Sequence, residues 1–598
     1  MKKLIRRILG LSEVLSVLNE SFRGFRVKLF WLAVLGFFGG LLDSLGINVL
    51  IPVFSYFTKS SGGADDFVSR TIAKYISYLP FQHNLIFLLS LAIGLFLLRA
   101  LVYVVFSYVS YSTMIDYRNR SVKKLLGLVF GSRWTFLLKQ RLGYLQTTIL
   151  KDMQTTSDTM VFLSRFIISV TSLLVYLFFA LNISFGITLL TLLVGGIAVI
   201  FIFPFIKKNR AIFAKMAATE KSISGYLIEN ISGAKYVKSL TVEDAVVQKG
   251  EQLYDIMRSL QMKIVVFRSI LSNFMQPMAL VFISALFFFY SKQQDFNLPT
   301  FIVTVYFIQN IFTNMDGTQG AFHSVNEQIP FIKNTLVLKA ALEENQEEES
   351  GEAPFTFNHD LRLEGVSFSY DEKTPILSDV SLGIRRGEVV GLIGPSGAGK
   401  SSIADLLLKF LKPQQGNILL DGIRIDEIDT RQWRENIGYV SQDVFLVNDT
   451  IENNIRFYSD GVTKEDMMRG AKLANALEFI DKLPDGFNTV VGDRGVMLSG
   501  GQRQRIVLAR VLARNPSILI LDEATSALDN ESELQIQRAI GRLRGTMTIV
   551  IIAHRLSTVM DADNLFVLEA GKIVEQGNPA ELIKNKGSYF YKMSHLKQ

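Results

Sequence analysis

Leu498-Ser499-Gly500-Gly501-Gln502 lies upstream of Ile518-Leu519-Ile520-Leu521-Asp522-Glu523 and well downstream of Gly394-Pro395-Ser396-Gly397-Ala398-Gly399-Lys400-Ser401-Ser402. The glycine-rich stretch decides the fold around it. The apolar run from Val389 to Ile393 predicts a buried strand, and the pattern from Ser402 to Phe410 predicts a helix. A strand–loop–helix of this kind builds a phosphate cradle. Gly394, Gly397 and Gly399 let backbone N–H groups approach a polyphosphate, and the helix N-terminus adds partial positive charge. Lys400 supplies a mobile cation for the β- and γ-phosphates, and the Ser401 hydroxyl is a ligand for Mg²⁺.

The run Ile518–Leu521 predicts a second buried strand ending on Asp522, whose carboxylate at the strand's C-terminal edge suits Mg²⁺ coordination. Glu523 follows, points elsewhere, and is placed to orient and deprotonate an attacking water. The bland alternative is a pair of acids hydrogen-bonded to a neighbouring loop. Against it stands the phosphate loop at the same sheet edge.

The rest of the 598 residues is of another character. Apolar residues make up 49% of the chain and mean hydropathy is +0.28, but the apolar runs crowd before Asn310. A bilayer core of ~30 Å needs about 20 apolar residues in helix. Six spans are expected, near Val27–Phe57, Asn84–Ser112, Met160–Leu181, Phe185–Ile206, Ile264–Tyr290 and Pro299–Phe312. Between them, Asp116–Thr159 and Lys207–Lys263 are rich in Lys and Arg, which places both segments and both termini on the cytoplasmic face of the inner (plasma) membrane. Their helical patterning predicts extensions of the spans rather than plain loops. The net charge of +8 belongs to these segments, and no groove-reading module points to nucleic acid. With no cysteine, thiolate catalysis, disulfides and thiolate–zinc sites are excluded. Leu4, Ile8, Leu11, Leu15 and Leu18 predict an amphipathic N-terminal helix on the membrane surface, not a cleaved leader. The expected domains are therefore a helical membrane bundle over 1–340, an acidic linker over 341–354, and an α/β phosphate-loop domain over 355–598.

The motifs above, joined by His554 in Ile551–Arg555, resemble the ATPase domain of the ATP-binding-cassette (ABC) family. The resemblance is strongest from Tyr370 to His554 and covers nearly the whole chain. It implies that ATP and Mg²⁺ are the cofactors, with Pro395, Ser396, Ala398 and Ser402 completing the nucleotide loop. It implies that Tyr370 stacks on adenine, that Gln442 touches Mg²⁺ and water, and that His554 contacts the γ-phosphate. Ser499, Gly501 and Gln502, with Gly500 between them, match the signature that grips ATP on the opposing subunit, and Asp529 closes the D-loop Ser526–Asp529. Thr489–Gly495 is similar to the loop that meets coupling helices, although Asp493 stands where exporters commonly carry Glu. Phe136–Gly143 and Lys221–Asp244 more loosely resemble the two intracellular coupling loops. A single copy cannot supply its own opposing signature, so the implied partner is a second copy or a related half-transporter.

Membrane and ATPase domains on one chain resemble an exporter half-transporter. Charged residues in or beside the spans (Asp43, Arg99, Arg165 and Arg268) are the local clues to cargo, because intramembrane charge is expensive. The run Leu42–Pro52 is similar to the first span of lipid-linked oligosaccharide flippases. The expected cargo is a lipid-like amphiphile whose anionic headgroup meets Arg99, with Asp43 at the same cavity. Multidrug or peptide export is the alternative, and an ATP-gated channel or regulatory role is the reading from another class.

Overall fold

The computed structural model describes residues 11–50, 85–202, 204–292, 298–348, 351–371, 374–524, 530–553 and 555–596. Leu4, Ile8 and the end of the first expected span lie outside the described residues. The chain divides into two compact units, Met1–Ser132 with Phe136–Gln346, and Arg133–Thr135 with Glu347–Gln598.

The first unit is helical. Its main elements are α1 (Leu11–Phe22), α2 (Arg26–Asn48), α3 (Leu85–Phe130), α4 (Met153–Ile183), α5 (Phe185–Ile202), α6 (Pro204–Ser232), α7 (Glu243–Tyr290) and α8 (Leu298–Glu344). At 1.5 Å per residue the 46 residues of α3 run to about 70 Å, more than twice a bilayer core. Long helical continuations beyond the apolar runs are thus what the basic segments form. Phe136–Gly143 falls on the short helices Trp134–Leu138 and Leu142–Thr147, and Lys221–Asp244 on the end of α6, a short helix Ala234–Ser239 and the start of α7.

Four helices among the described residues are long and apolar enough to cross a membrane: Ser12–Asn48, Leu85–Phe130, Leu142–Ile183 and Glu243–Tyr290. The expected span Phe185–Ile206 falls on α5 and the start of α6, and Pro299–Phe312 on α8, but α5 is apolar over a shorter stretch, Phe185–Ile197. Pro299–Phe312 is diluted by Thr300, Thr304, Gln309 and Asn310. The expected acidic linker begins later than 341, since α8 continues to Glu344 and Glu343 pairs with Lys124 at 2.7 Å.

Glycines let α2 approach its neighbours closely. A Cβ on Gly36 would stand 2.6 Å from Thr171 Oγ1, and one on Gly40 would stand 3.1 Å from Ser172 Cα. This i, i+4 small-residue face brings α2 against α4. It also carries Asp43 into the unit's interior, fully buried. There Asp43 Oδ1 pairs with Arg99 Nη1 at 2.6 Å. Its Oδ2 accepts hydrogen bonds from the hydroxyls of Tyr176 and of Tyr306, the latter at 3.1 Å. Arg99 also lies over the Tyr103 ring, 5.3 Å from its centroid. One expectation is corrected here: Asp43 is wholly buried and spent on partners within the chain, so it lines no cargo surface in this conformation. Arg99 is the partner that neutralises it. Arg268 likewise pairs with Glu327 at 2.7 Å, whereas Arg165 is exposed.

Removing one member of a buried ion pair strands the other charge, at about 3–5 kcal/mol. Arg99→Met should therefore lower the unfolding temperature of the detergent-solubilised chain sharply, and Asp43→Asn added to it should recover most of the loss. Equal destabilisation by the single and double variants would show that Asp43 does not depend on Arg99.

Candidate nucleotide site

The second unit is built on two sheets. One is antiparallel, in the order β2 (Pro375–Arg385), β1 (Asp360–Ser369), β4 (Gln415–Leu420), β5 (Ile423–Arg424). The other runs β10 (Lys572–Gly577), β9 (Asn564–Glu569), β3 (Val389–Ile393), β8 (Thr548–Ile552), β7 (Ile518–Asp522), β6 (Ile437–Val440). From β9 to β6 all neighbours are parallel. Every residue of β3, β7 and β8 is buried, as continuous apolar strands covered on both faces require.

Parallel register sends all C-terminal ends to one edge, where ligands of such sheets bind. Leu392 pairs with Ile552, Ile552 with Asp522, and Leu521 with Val440. Four adjacent strands therefore deliver, side by side, the glycine loop after β3, Ala553 after β8, Asp522 and Glu523 from β7, and Ser441-Gln442 after β6. His554 and Asp529 lie outside the described residues.

The loop after β3 turns into α9 (Lys400–Leu407). Gly399 caps that helix at φ +104°, and a Cβ there would sit 2.6 Å from Leu377 Cδ2, so glycine is required. Lys400 is buried, and its Nζ donates to the carbonyls of Gly394 and Pro395, both at 3.0 Å. The lysine thus rests inside the cradle it serves. Tyr370 is 52% exposed, its ring edge-on to Phe368 at 5.0 Å and its hydroxyl 3.5 Å from Ser402 Oγ, which leaves a face for a planar base.

Asp522 is buried and hydrogen-bonded to the Ser401 hydroxyl, which joins the two oxygen ligands expected for Mg²⁺. Burial first, and the neighbouring Glu523 charge second, raise its carboxyl above the usual range. Glu523 takes a left-handed backbone conformation, φ +49°, held by its N–H donating to Ile552 O at 2.9 Å. From that left-handed turn its Oε2 accepts from Gln442 Nε2 at 2.8 Å. Glu523, the expected base, and Gln442 are in direct contact.

The signature folds as a capping box at the start of α10 (Gly500–Ala513). Ser499 Oγ accepts from Gln502 N–H at 3.3 Å, while Gln502 Oε1 accepts from Ser499 N–H at 2.9 Å. The S-x-x-Q pattern is itself that signal, and it leaves a glycine-lined helix N-terminus fit for anions.

Residues 29–315 match the model of the ABC transporter transmembrane region, and residues 377–526 match the model named ABC transporter. The chain belongs to the ABC transporter family. Along its length this transporter is similar to the ATP-dependent lipid A-core flippase of Syntrophus aciditrophicus, 31% identical over 89% of this chain and 87% of that protein. The flippase of the same name in Haemophilus influenzae is 34% identical over 83% and 86%. The heterocyst differentiation ATP-binding protein HepA of Nostoc is 31% identical over 81% and 80%. A solved structure of a bacterial Atm1-family ABC exporter with ATP bound superposes with a TM-score of 0.76, at 24% identity, covering 97% of this chain and 99% of that one. The transporter is thus a helical membrane domain followed by an α/β ATPase domain, and it hydrolyses ATP to drive transport.

Sequence reasoning missed two residues that shape this site. Arg510, buried on α10, donates to the carbonyls of Asn454 at 2.7 Å and Phe445 at 2.9 Å, tying the signature helix to the segment after Gln442. Asp405 on α9 is the other. Burial, then the Asp522 charge, push its carboxyl up to about 6, from an ordinary 3.8. Folded Asp405 holds its proton more tightly than the unfolded chain does. Its cost to stability is therefore absent below about pH 4, grows as pH rises through the window up to about 6, and is complete above it. Screening of the half-buried group leaves an effect of order 1 kcal/mol. In nucleotide-free, Mg²⁺-free protein, Asp405→Asn should raise the melting temperature near neutral pH and lose that advantage towards about pH 4. A gain independent of pH would rule out the carboxyl's charge as its source.

Proposed function

We propose that this transporter pairs with a second copy of itself and uses ATP to move a lipid-like amphiphile outward across the bacterial inner membrane. The observation that carries the cargo reading is similarity over four-fifths or more of both chains to proteins named for flipping the lipid A core. Six spans, two of them contributed by α5 and α8, keep both termini cytoplasmic, where the basic segments and the ATP are.

In each ATP site Tyr370 stacks on adenine, and the loop Gly394–Ser402 with Lys400 holds the phosphates. Ser401, Asp522 and Gln442 are the residues that would hold Mg²⁺. Their hard oxygens fit it, and a cation there offsets the burial and the Glu523 charge that raise the Asp522 carboxyl. Bound there, Mg²⁺ supplies neutralisation of the β- and γ-phosphate charge. Glu523, released from Gln442, orients and deprotonates the water, and His554 contacts the γ-phosphate. Ser499, Gly501 and Gln502 of one copy, with Asp529 near the interface, close over nucleotide held by the other.

Arg99 remains the cation within reach of a headgroup, but an anionic headgroup must compete with Asp43 for it. Tyr176 and Tyr306 stay on the displaced Asp43 carboxylate and lower the cost of that exchange. Asp43→Asn should then strengthen stimulation by anionic lipids. ATPase measured in nanodiscs with phosphorylated glycolipids, neutral lipids and cationic drugs tests both statements. Stimulation by phosphorylated glycolipids, reached at lower lipid content in Asp43→Asn, is expected. Stimulation by cationic drugs alone would replace this reading with multidrug export.

A further inference from the structure

Three helices of the membrane unit meet at one buried carboxylate. A single helical run from Leu142 to Ile183 is interrupted at Thr148–Asp152, where the backbone makes one wide π-turn. Such turns are rare inside helices and gather at functional sites. The residues on either side of this one reach the same neighbour. Lys221 on α6 places its Nζ 4.1 Å from the centroid of the Tyr144 ring, before the turn, and 3.4 Å from Asp152 Oδ2, at its end. Asn334 Nδ2 on α8 donates to the same Oδ2 at 3.1 Å. Asp152 is fully buried, and its Oδ1 has no partner among the described residues. Beside it Lys151 pairs with Glu220, so Lys151-Asp152 faces Glu220-Lys221 with opposite signs at both places. A slip of α6 by one residue would set like charges face to face. The backbones are close as well. A Cβ on Gly143 would stand 2.9 Å from Gly225 Cα, whereas one on Gly225 would meet open space.

The order of the chain gives the cluster its meaning. Asp152 lies in the first basic segment, just after Phe136–Gly143. Lys221 lies in the second, where Lys221–Asp244 begins. α8 is the last helix of the unit and ends at Glu344, shortly before the chain enters the ATPase unit. Hydrolysis takes place in one unit and transport in the other, so motion has to pass along these helical continuations. We propose that Asp152 and Lys221 are positioning residues that hold both basic segments and α8 as one rigid body, so that a nucleotide-driven shift of one moves the spans attached to all three. The proposal rests on the reading of Phe136–Gly143 and Lys221–Asp244 as coupling loops. It goes further by naming the contact that makes the two loops of one chain act together. Burial strengthens the attraction between the pair, and the aromatic face of Tyr144 adds a second hold on the ammonium.

Because the chain has no cysteine, nitroxide labels on Lys139→Cys and Lys235→Cys, both exposed and one in each loop, report a distance within one chain. The test uses the full-length transporter in nanodiscs, with and without a non-hydrolysable ATP analogue and Mg²⁺. The unaltered cluster should give a narrow distance distribution whose centre is the same in both states. Asp152→Asn combined with Lys221→Met leaves no stranded charge, so its melting temperature should stay near that of the parent. Its distance distribution should nevertheless broaden, and its centre should move with nucleotide. Without labels, the same double variant should keep basal ATP hydrolysis within about twofold while its stimulation by phosphorylated glycolipids falls by roughly fivefold or more. Gly143→Ala, which forces the backbones apart, should behave likewise, and Gly225→Ala should not. A parent distance that shifts with nucleotide overturns the proposal. So does a double variant whose distribution is as narrow and as fixed as the parent's, or whose stimulation is unchanged. If the distances behave as expected but phosphorylated glycolipids do not stimulate even the wild-type protein, the rigid body stands and the cargo reading fails.

Discussion

The chemistry of the ATPase unit depends on one constraint, the parallel hydrogen-bonded register of β3, β8, β7 and β6. Because these strands run the same way and pair without offset, Leu392, Ile552, Asp522 and Val440 finish close to one edge. No single segment holds the site. The phosphate cradle, the metal-side carboxylate, the base and Gln442 arrive on three strands, β3, β7 and β6, and meet only because the sheet order is 3-8-7-6. A one-residue slip of β7 would turn Asp522 to the opposite face and separate it from Ser401. The continuous apolar faces of β3, β7 and β8 anchor that register by burying both sides.

Polar and charged groups in both units are closed on partners within the chain until something displaces them. Lys400 rests on the carbonyls of its own loop, Gln442 on Glu523, and Ser499 on Gln502. In the membrane unit Arg99 rests on Asp43. The contacts of Lys400 and Asp43 keep a buried charge from being stranded in a low-dielectric interior, while those of Gln442 with Glu523 and Ser499 with Gln502 hold exposed groups in place. In the reading proposed for this transporter, nucleotide and cargo act by exchanging into such pairs.

What the sequence disclosed follows the range of the interactions involved. The phosphate loop was legible because strand, glycines and helix are contiguous, and Asp522 because it ends an uninterrupted apolar strand. The contact of Gln442 with Glu523 was not legible, since it joins residues 81 positions apart and depends on β6 lying beside β7. Asp43 and Arg99 were each visible as costly charges, but their pairing was not, since it joins side chains on two different helices. The Ser499–Gln502 capping box was present in the letters and went unread beneath the signature. Arg510 gave no signal, because ordinary helical patterning hides which buried polar group a distant backbone will meet. Hydropathy marked the helices of the membrane unit, while the polar residues of α8 and the short apolar stretch of α5 kept those two below the strength of the other four.

The central claim is that one chain holds half of each ATP site. Trapped nucleotide in dimers whose chains all carry Glu523→Gln measures this directly, because that change halts hydrolysis while keeping ATP bound. One chain also carries Ser499→Arg and its partner Lys400→Ala. If sites are shared between copies, both lesions fall in the same site of the mixed dimer, and the other site is intact. The mixed dimer should then retain one tightly held ATP, while dimers made of either variant alone retain none. A mixed dimer that traps no more ATP than the two parent variants would contradict the account.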